Sequence, residues 1–255
     1  MRLKPICILL SLLAVTAANC SADEVTDWNK ILLQALITPP AVAAPLAIRP
    51  AAIVQAAVFD AVNGIERRYT PLSVMPAAPT RASERAAAVQ AAYASLVHLF
   101  PDQTSTFDQQ RTISLAAITS GSNADDSESI QRGIGWGQAA ADAIWALRGT
   151  DGFSTAPPPF RGGMAPGQWQ PTPPAFAPGL APQLAQTTTW VIASPSQFRP
   201  GGPPKLTSNQ YTADFNETKS MGSVNSTSRT DDQTLYVKFW NSMSIRSTCR
   251  PRKTN

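Results

Sequence analysis

The chain has 255 residues, 43% of them hydrophobic and 15% charged, with 23 prolines, three cysteines, a single histidine and a formal net charge of +4. Arg2, Lys4, Arg246, Arg250, Arg252 and Lys253 lie near the two ends, and without them 15 basic residues face 17 acidic ones, so the body is slightly acidic and carries no electrostatic footprint for nucleic acid. The body has no cysteine, since Cys7, Cys20 and Cys249 fall in the terminal segments, which excludes a disulfide framework and a cysteine-ligated metal.

Residues 1 to 22 open with Arg2 and Lys4, continue through an apolar stretch from Ile6 to Val15 and end in Ala17, Ala18, Ser21 and Ala22, the layout of a secretory signal peptide. Cleavage after Ala22 starts the mature chain at Asp23 and predicts export to the periplasm or medium. Lipidation at Cys20 is the less favoured alternative, because Ala17 stands where an aliphatic residue is usual and Asn19 where a small one is. The apolar run falls short of the roughly 20 residues that span a bilayer, and no later segment is expected to reach that length, so no transmembrane segment is predicted.

Trp28, Ile31, Leu32 and Ala35 recur at helical spacing and predict a helix over 27 to 37, stopped by Pro39 and Pro40. A second is predicted over 50 to 63, with Pro50 in its first turn and Gly64 as the left-handed residue that ends it. Further helices are predicted over 82 to 100, 104 to 118 and 127 to 147. The alanine-rich texture and the lack of alternating β-branched runs make the expected class all-α. Between 157 and 204 lie 13 of the 23 prolines and six glycines, too many missing donors for a helix or central strand. Phe160, Trp169, Phe176, Leu180, Leu184, Trp190, Val191 and Phe198 are interleaved there, so the segment reads as an ordered loop wrapped on the helical body. Helices resume over 208 to 221 and 231 to 241, each preceded by the spacing of a capping box, Thr207 with Gln210 and Thr230 with Gln233. The expected organisation is thus a signal peptide at 1 to 22, a helical region at 23 to 240 and a disordered basic tail at 241 to 255.

Candidate chemistry is sparse. His98 is expected to be a solvated or locally hydrogen-bonded helix histidine, because no second histidine exists to share a metal or a proton. In GIGWG at 133 to 137, Gly133 and Gly137, with Ala141, are expected to serve close helix packing, since no strand precedes them as a phosphate loop requires. Asp60 and Asn63 are expected to satisfy buried backbone groups near a helix end, and Asp125, Asp126 and Glu128 to act as favourable charges at a helix start. Serine and aspartate are plentiful, but no nucleophile turn or usable histidine supports a hydrolase triad.

Five segments together carry a family likeness: DWNKILLQALI at 27 to 37, QAAVFDAVNGI at 55 to 65, GQWQPTPP at 167 to 174, SPSQFRP at 194 to 200 and LTSNQYTADFNETKSMGSVNSTSRTDDQT at 206 to 234. They resemble secreted bacterial proteins related to vanadium-dependent haloperoxidases, in the superfamily of type 2 phosphatidic acid phosphatases. The resemblance implies the N-terminal part of a helical bundle in which lysine, two arginines and a serine hold vanadate or phosphate and a histidine pair does the chemistry. Its signatures are lysine with arginine-proline seven residues later, Ser-Gly-His, and arginine with histidine six residues later. Here the arginines of the three Arg-Pro pairs, Arg49, Arg199 and Arg250, are preceded at that distance by Val42, Ile192 and Met243, no Ser-Gly-His occurs, and Ala92 stands six before His98. The expectation is therefore an exported haloperoxidase-like or phosphatase-like chain, truncated before the oxyanion site and inactive, with no catalytic, cofactor or metal residue in this sequence and vanadate reserved for full-length relatives. The alternative is a secreted, non-catalytic helical binding or scaffold module. Loss of the downstream half also predicts that Tyr236, Phe239 and Trp240 stay exposed and offer a surface for self-association.

Overall fold

The structure, a computed structural model, describes residues 23 to 241 apart from 74, 121, 122 and 156. The expected signal peptide, with Cys7 and Cys20, lies outside the described residues, as does the basic tail beyond 241. Seven α-helices are described: α1 (Glu24–Ile37), α2 (Ala44–Glu66), α3 (Glu84–Leu99), α4 (Thr104–Ile118), α5 (Ser127–Arg148), α6 (Asn209–Gly222) and α7 (Asp231–Asn241). The only strand-like pairing among the described residues is one bridge between Phe160 and Gly179, so the all-α expectation holds.

Helix α3 is the centre. Ten of its sixteen residues are buried, Ala86 to Ala92 without a break, and a helix buried on nearly every side needs neighbours all round. These are α5, α2, α4 and α1. Because six of the ten buried residues of α3 are alanine, the neighbours gain contact by coming close. Helix α5 does so through its glycines: a Cβ on Gly133 would stand 2.4 Å from the Ser83 carbonyl oxygen, and one on Gly137 would stand 2.3 Å from that of Ala87. The predicted packing role of Gly133, Gly137 and Ala141, which is fully buried, is thereby observed.

Helix α2 departs from expectation at both ends. It begins at Ala44, with Pro45 in its first turn, so Pro50 is an interior residue and not a starter. An interior proline costs a helix about 3 kcal/mol. The turn before it is nevertheless fixed, because Ala47 is buried and Arg49 is anchored to the far end of α5. At the other end Gly64 is helical, and the left-handed residue is Arg67 at φ 56°. Gly64 is small because the Trp136 indole lies against it, where a Cβ would be 2.3 Å from Cζ2, while the indole N–H donates to the Ala61 carbonyl at 2.8 Å. The extension gives α2 a stretch, 45 to 66, that by length and composition could cross a membrane, longer than the sequence led one to expect, yet consistent with the predicted lack of a transmembrane segment. Half of that stretch is buried inside the protein, as in a core helix.

The caps follow the sequence with one shift. Asp23, Ser83 and Asp126 accept from the backbone N–H groups of Thr26, Ala86 and Ser129. The Thr230–Gln233 box is reciprocal, at 3.2 and 2.9 Å, whereas α6 is capped by Ser208 accepting from the Tyr211 N–H and not by Thr207. The proline-rich loop is folded on itself by the Phe160–Gly179 bridge, contact of Phe160 with Trp169 and a short 3-10 turn, Pro182–Ala185. It docks on the bundle around Thr188 to Trp190, but Phe160, Phe176, Leu180, Val191 and Phe198 remain exposed, so most of its large apolar groups are not buried against the body as expected. Neither α6 nor α7 contributes a buried side chain among the described residues.

Candidate functional site

The polar residues singled out in the sequence serve structure. The Asp60 carboxylate, 1% exposed, accepts from the Leu72 and Ser73 N–H groups at 2.8 Å each and from the Ser73 hydroxyl at 2.6 Å. Asn63 accepts from the Tyr69 N–H and donates to the Tyr69 carbonyl, both at 2.8 Å. Two side chains one helical turn apart thus clamp the chain leaving α2, as expected. Asp125 accepts from the Ser83 hydroxyl, tying the loop before α5 to the cap of α3, and the Asp126 carboxyl is held below the usual carboxylate range first by the Ser129 N–H. His98 stacks on Trp145 at 4.9 Å, nearly parallel, with Nε2 3.4 Å from an Asp142 oxygen. It is a partly exposed helix histidine whose titratable neighbour is the Asp142 carboxylate on α5.

The strongest concentration of buried charge was not anticipated. Arg49 of α2 reaches across to Asp151, just beyond α5, with Nε 2.8 Å from Oδ2 and Nη2 3.2 Å from Oδ1, and Nη2 also donates to the Arg148 carbonyl at 2.8 Å. Its guanidinium lies 4.7 Å from the Phe153 ring centre. Arg148, the last residue of α5, is 3% exposed. Nη1 donates to the Thr188 carbonyl at 2.8 Å and Nη2 to that of Thr189 at 3.3 Å, while Trp190 covers the guanidinium at 3.6 Å. The Arg148 Nε is buried without a partner. Desolvation on burial pulls its pKa below the usual arginine value, partly offset by Asp151 and reinforced by the charge of Arg49. Beside the cluster opens a cleft of about 330 Å³ whose polar lining is Arg49, Asp151, Thr187 and Thr188 and whose apolar lining is Ile48, Ala52, Leu184 and Trp190. Arg49 and Asp151 are 102 residues apart, and no periodicity or motif links such a pair. The one local signal was an arginine in the last turn of α5 with an aspartate three residues on.

At the opposite end of the chain, α7 exposes Leu235, Tyr236, Val237, Phe239 and Trp240, the three aromatics by 64, 67 and 54%. Their exposure was predicted. Arg229 donates to the Met221 and Ser223 carbonyls and to the Thr234 hydroxyl, holding α6 and α7 as a hairpin.

No protein-family model and no curated protein matches the sequence. Among solved structures, the fold is similar to the crystal structure described as the first bacterial vanadium-dependent iodoperoxidase, with a TM-score of 0.61 at 22% sequence identity. The match covers 77% of this chain and 49% of that one, so the chain spans about half the length of the protein it resembles. The fold is therefore haloperoxidase-related.

Proposed function

We propose that this chain is the amino-terminal helical portion of an exported haloperoxidase-like protein, and that the oxyanion-binding half of the bundle is supplied by polypeptide outside this sequence. The observation that carries the reading is α7: an 11-residue helix with five large apolar residues facing water has too little hydrogen-bonded length to persist alone and needs a cover. About half of the iodoperoxidase lies outside the match, room for the polypeptide that would supply such a cover. Export rests on residues 1 to 22. Cleavage after Ala22 would leave Asp23, the N-cap of α1, as the first residue.

On this reading the chain alone has no turnover. Haloperoxidation at vanadate and phosphate-ester hydrolysis both draw on a lysine and arginine cage and a histidine pair, and His98 stacks on a tryptophan 3.4 Å from an aspartate. Uncovered, the α7 face promotes association between copies.

The DNA beyond the codon for Trp240 tests this. An encoded Ser-Gly-His segment, in whichever frame, is the expected result, and its absence from all forward frames would overturn the proposal. A protein assay runs beside it: purified chain with vanadate, peroxide and bromide should leave a phenolic indicator unbrominated, and turnover that survives His98→Ala would refute the assignment. Substituting Leu235→Lys and Phe239→Lys together should shift the purified chain toward monomer in sedimentation.

A second reading, a self-sufficient secreted helical module, is favoured by the core. Ile53, Ala57, Ala61, Val89, Leu96, Phe107 and Ile144 are fully buried within α2 to α5. Stable monomeric behaviour with α7 still exposed would select it.

A further inference from the structure

Arg49, Arg148 and Asp151 bring two positive charges and one negative charge into a region where the two arginines are nearly inaccessible, and no second carboxylate among the described residues ion-pairs with either guanidinium. The carbonyl end of α5, which Arg49 contacts, contributes the equivalent of about half a negative charge. About half a positive charge remains, together with an unpartnered Arg148 Nε. Buried charge without compensation is costly, and an arrangement of this kind is stabilised by an anion.

The cleft beside the pair has the volume and lining to admit one. Both Asp151 oxygens are engaged by Arg49, and Oδ1 also accepts from the Phe153 N–H, so the carboxylate's charge is matched by the guanidinium beside it. Arg49 and Thr188 line the cleft together with the apolar Ile48, Ala52, Leu184 and Trp190, while the Thr187 hydroxyl is taken up in donating to the Gln183 carbonyl at 3.0 Å. At about 330 Å³ the space lies at the lower end of the range for small-molecule sites. We propose that this cleft binds a small organic monoanion with an apolar body, an aryl or short alkyl carboxylate, its charge toward Arg49 and its body against Trp190. The ligand would also fix the proline-rich loop, because Trp190 and the carbonyls of Thr188 and Thr189 are the points at which that loop meets Arg148. The proposal does not depend on the missing half of the bundle.

Benzoate is the probe and benzyl alcohol its neutral counterpart, titrated into the purified chain by calorimetry. The expected result is saturable benzoate binding, at least tenfold weaker binding of the alcohol, and at least a tenfold loss for benzoate in Ala52→Leu, which fills the cleft without touching the ion pair. Ile48 is 60% exposed at the rim, so Ile48→Trp obstructs the entrance at little risk to folding and should cause the same loss. Absence of saturable benzoate binding, equal affinity for the alcohol, or full affinity in a folded Ile48→Trp variant would each overturn the proposal.

Discussion

Replacing Gly137 by alanine adds one methyl group to α5 at the point where it crosses α3. The new Cβ would lie 2.3 Å from the Ala87 carbonyl oxygen and 3.0 Å from its carbon, against the 3.4 Å or more of ordinary contact. The obstacle is backbone, which cannot rotate away, so the helices must separate by about an ångström along a seam of alanines whose contacts depend on closeness. Overpacking of this kind costs about 3 kcal/mol, the upper end of its usual range. Alanine returns about 1 kcal/mol through its better helix propensity. The net loss is about 2 kcal/mol, which for a domain of this size lowers the melting temperature by about 4 to 8 °C. Gly135, two residues earlier on the same helix, has nothing within 4 Å of its Cβ position. Gly135→Ala therefore collects only the propensity term and should raise the melting temperature by about 2 to 4 °C. Thermal melts of the two variants followed by far-UV circular dichroism give the comparison, and a Gly137→Ala melt at or above the parent's would refute the close approach of α3 and α5.

Two further outcomes are expected. Asp60→Asn replaces an acceptor of three buried hydrogen bonds with an amide that must turn a donor toward Ser73 or Leu72, at a cost of about 2 to 3 kcal/mol readable as a shifted urea midpoint, and an unchanged midpoint would contradict the clamp. The Asp23 and Asp126 carboxyls are held below the usual aspartate value, about 3.9, chiefly by the N–H groups of Thr26 and Ser129. Their contribution is thus fully present above that value and is lost as pH falls through the lower folded values. Because asparagine caps without titrating, an Asp23→Asn, Asp126→Asn variant should lose less stability than the parent between pH 5 and pH 2, and identical pH profiles would remove the caps from the explanation.

Much of the architecture can be read from side-chain spacing, because spacing reports local physics. Trp28, Leu32 and Ala35 mark a face, Thr230 and Gln233 mark a start, and Gly133 with Gly137 marks a contact surface, each within a turn or two of its partner. What was illegible depended on partners far along the chain. Pro50 looks like a first-turn residue until Arg49 is anchored near 151, and that anchor converts the preceding turn from optional to fixed. Gly64 looks like a terminator because local rules cannot see that Trp136, 72 positions later, needs the space above it. The arginine pair was missed for the same reason, since Arg49 and Asp151 lie 102 residues apart. Exposure of Tyr236, Phe239 and Trp240 was legible through the family resemblance, which assigns the cover of that helix to segments whose signatures do not occur here.

The proline-rich loop is fastened to the bundle around Arg148, whose guanidinium is clasped by the Thr188 and Thr189 carbonyls and roofed by Trp190, while the Thr188 N–H donates to the Asp151 carbonyl. Cooperativity should stop there. Amide protons of α2, α3 and α5 would exchange only through global opening, whereas those from 191 to 240 would exchange through local opening of low free energy, because among the described residues no buried side chain beyond 190 holds them to the core. The chain would behave as a hard helical core with a soft appendage, and solvent conditions that melt the second would leave the first intact.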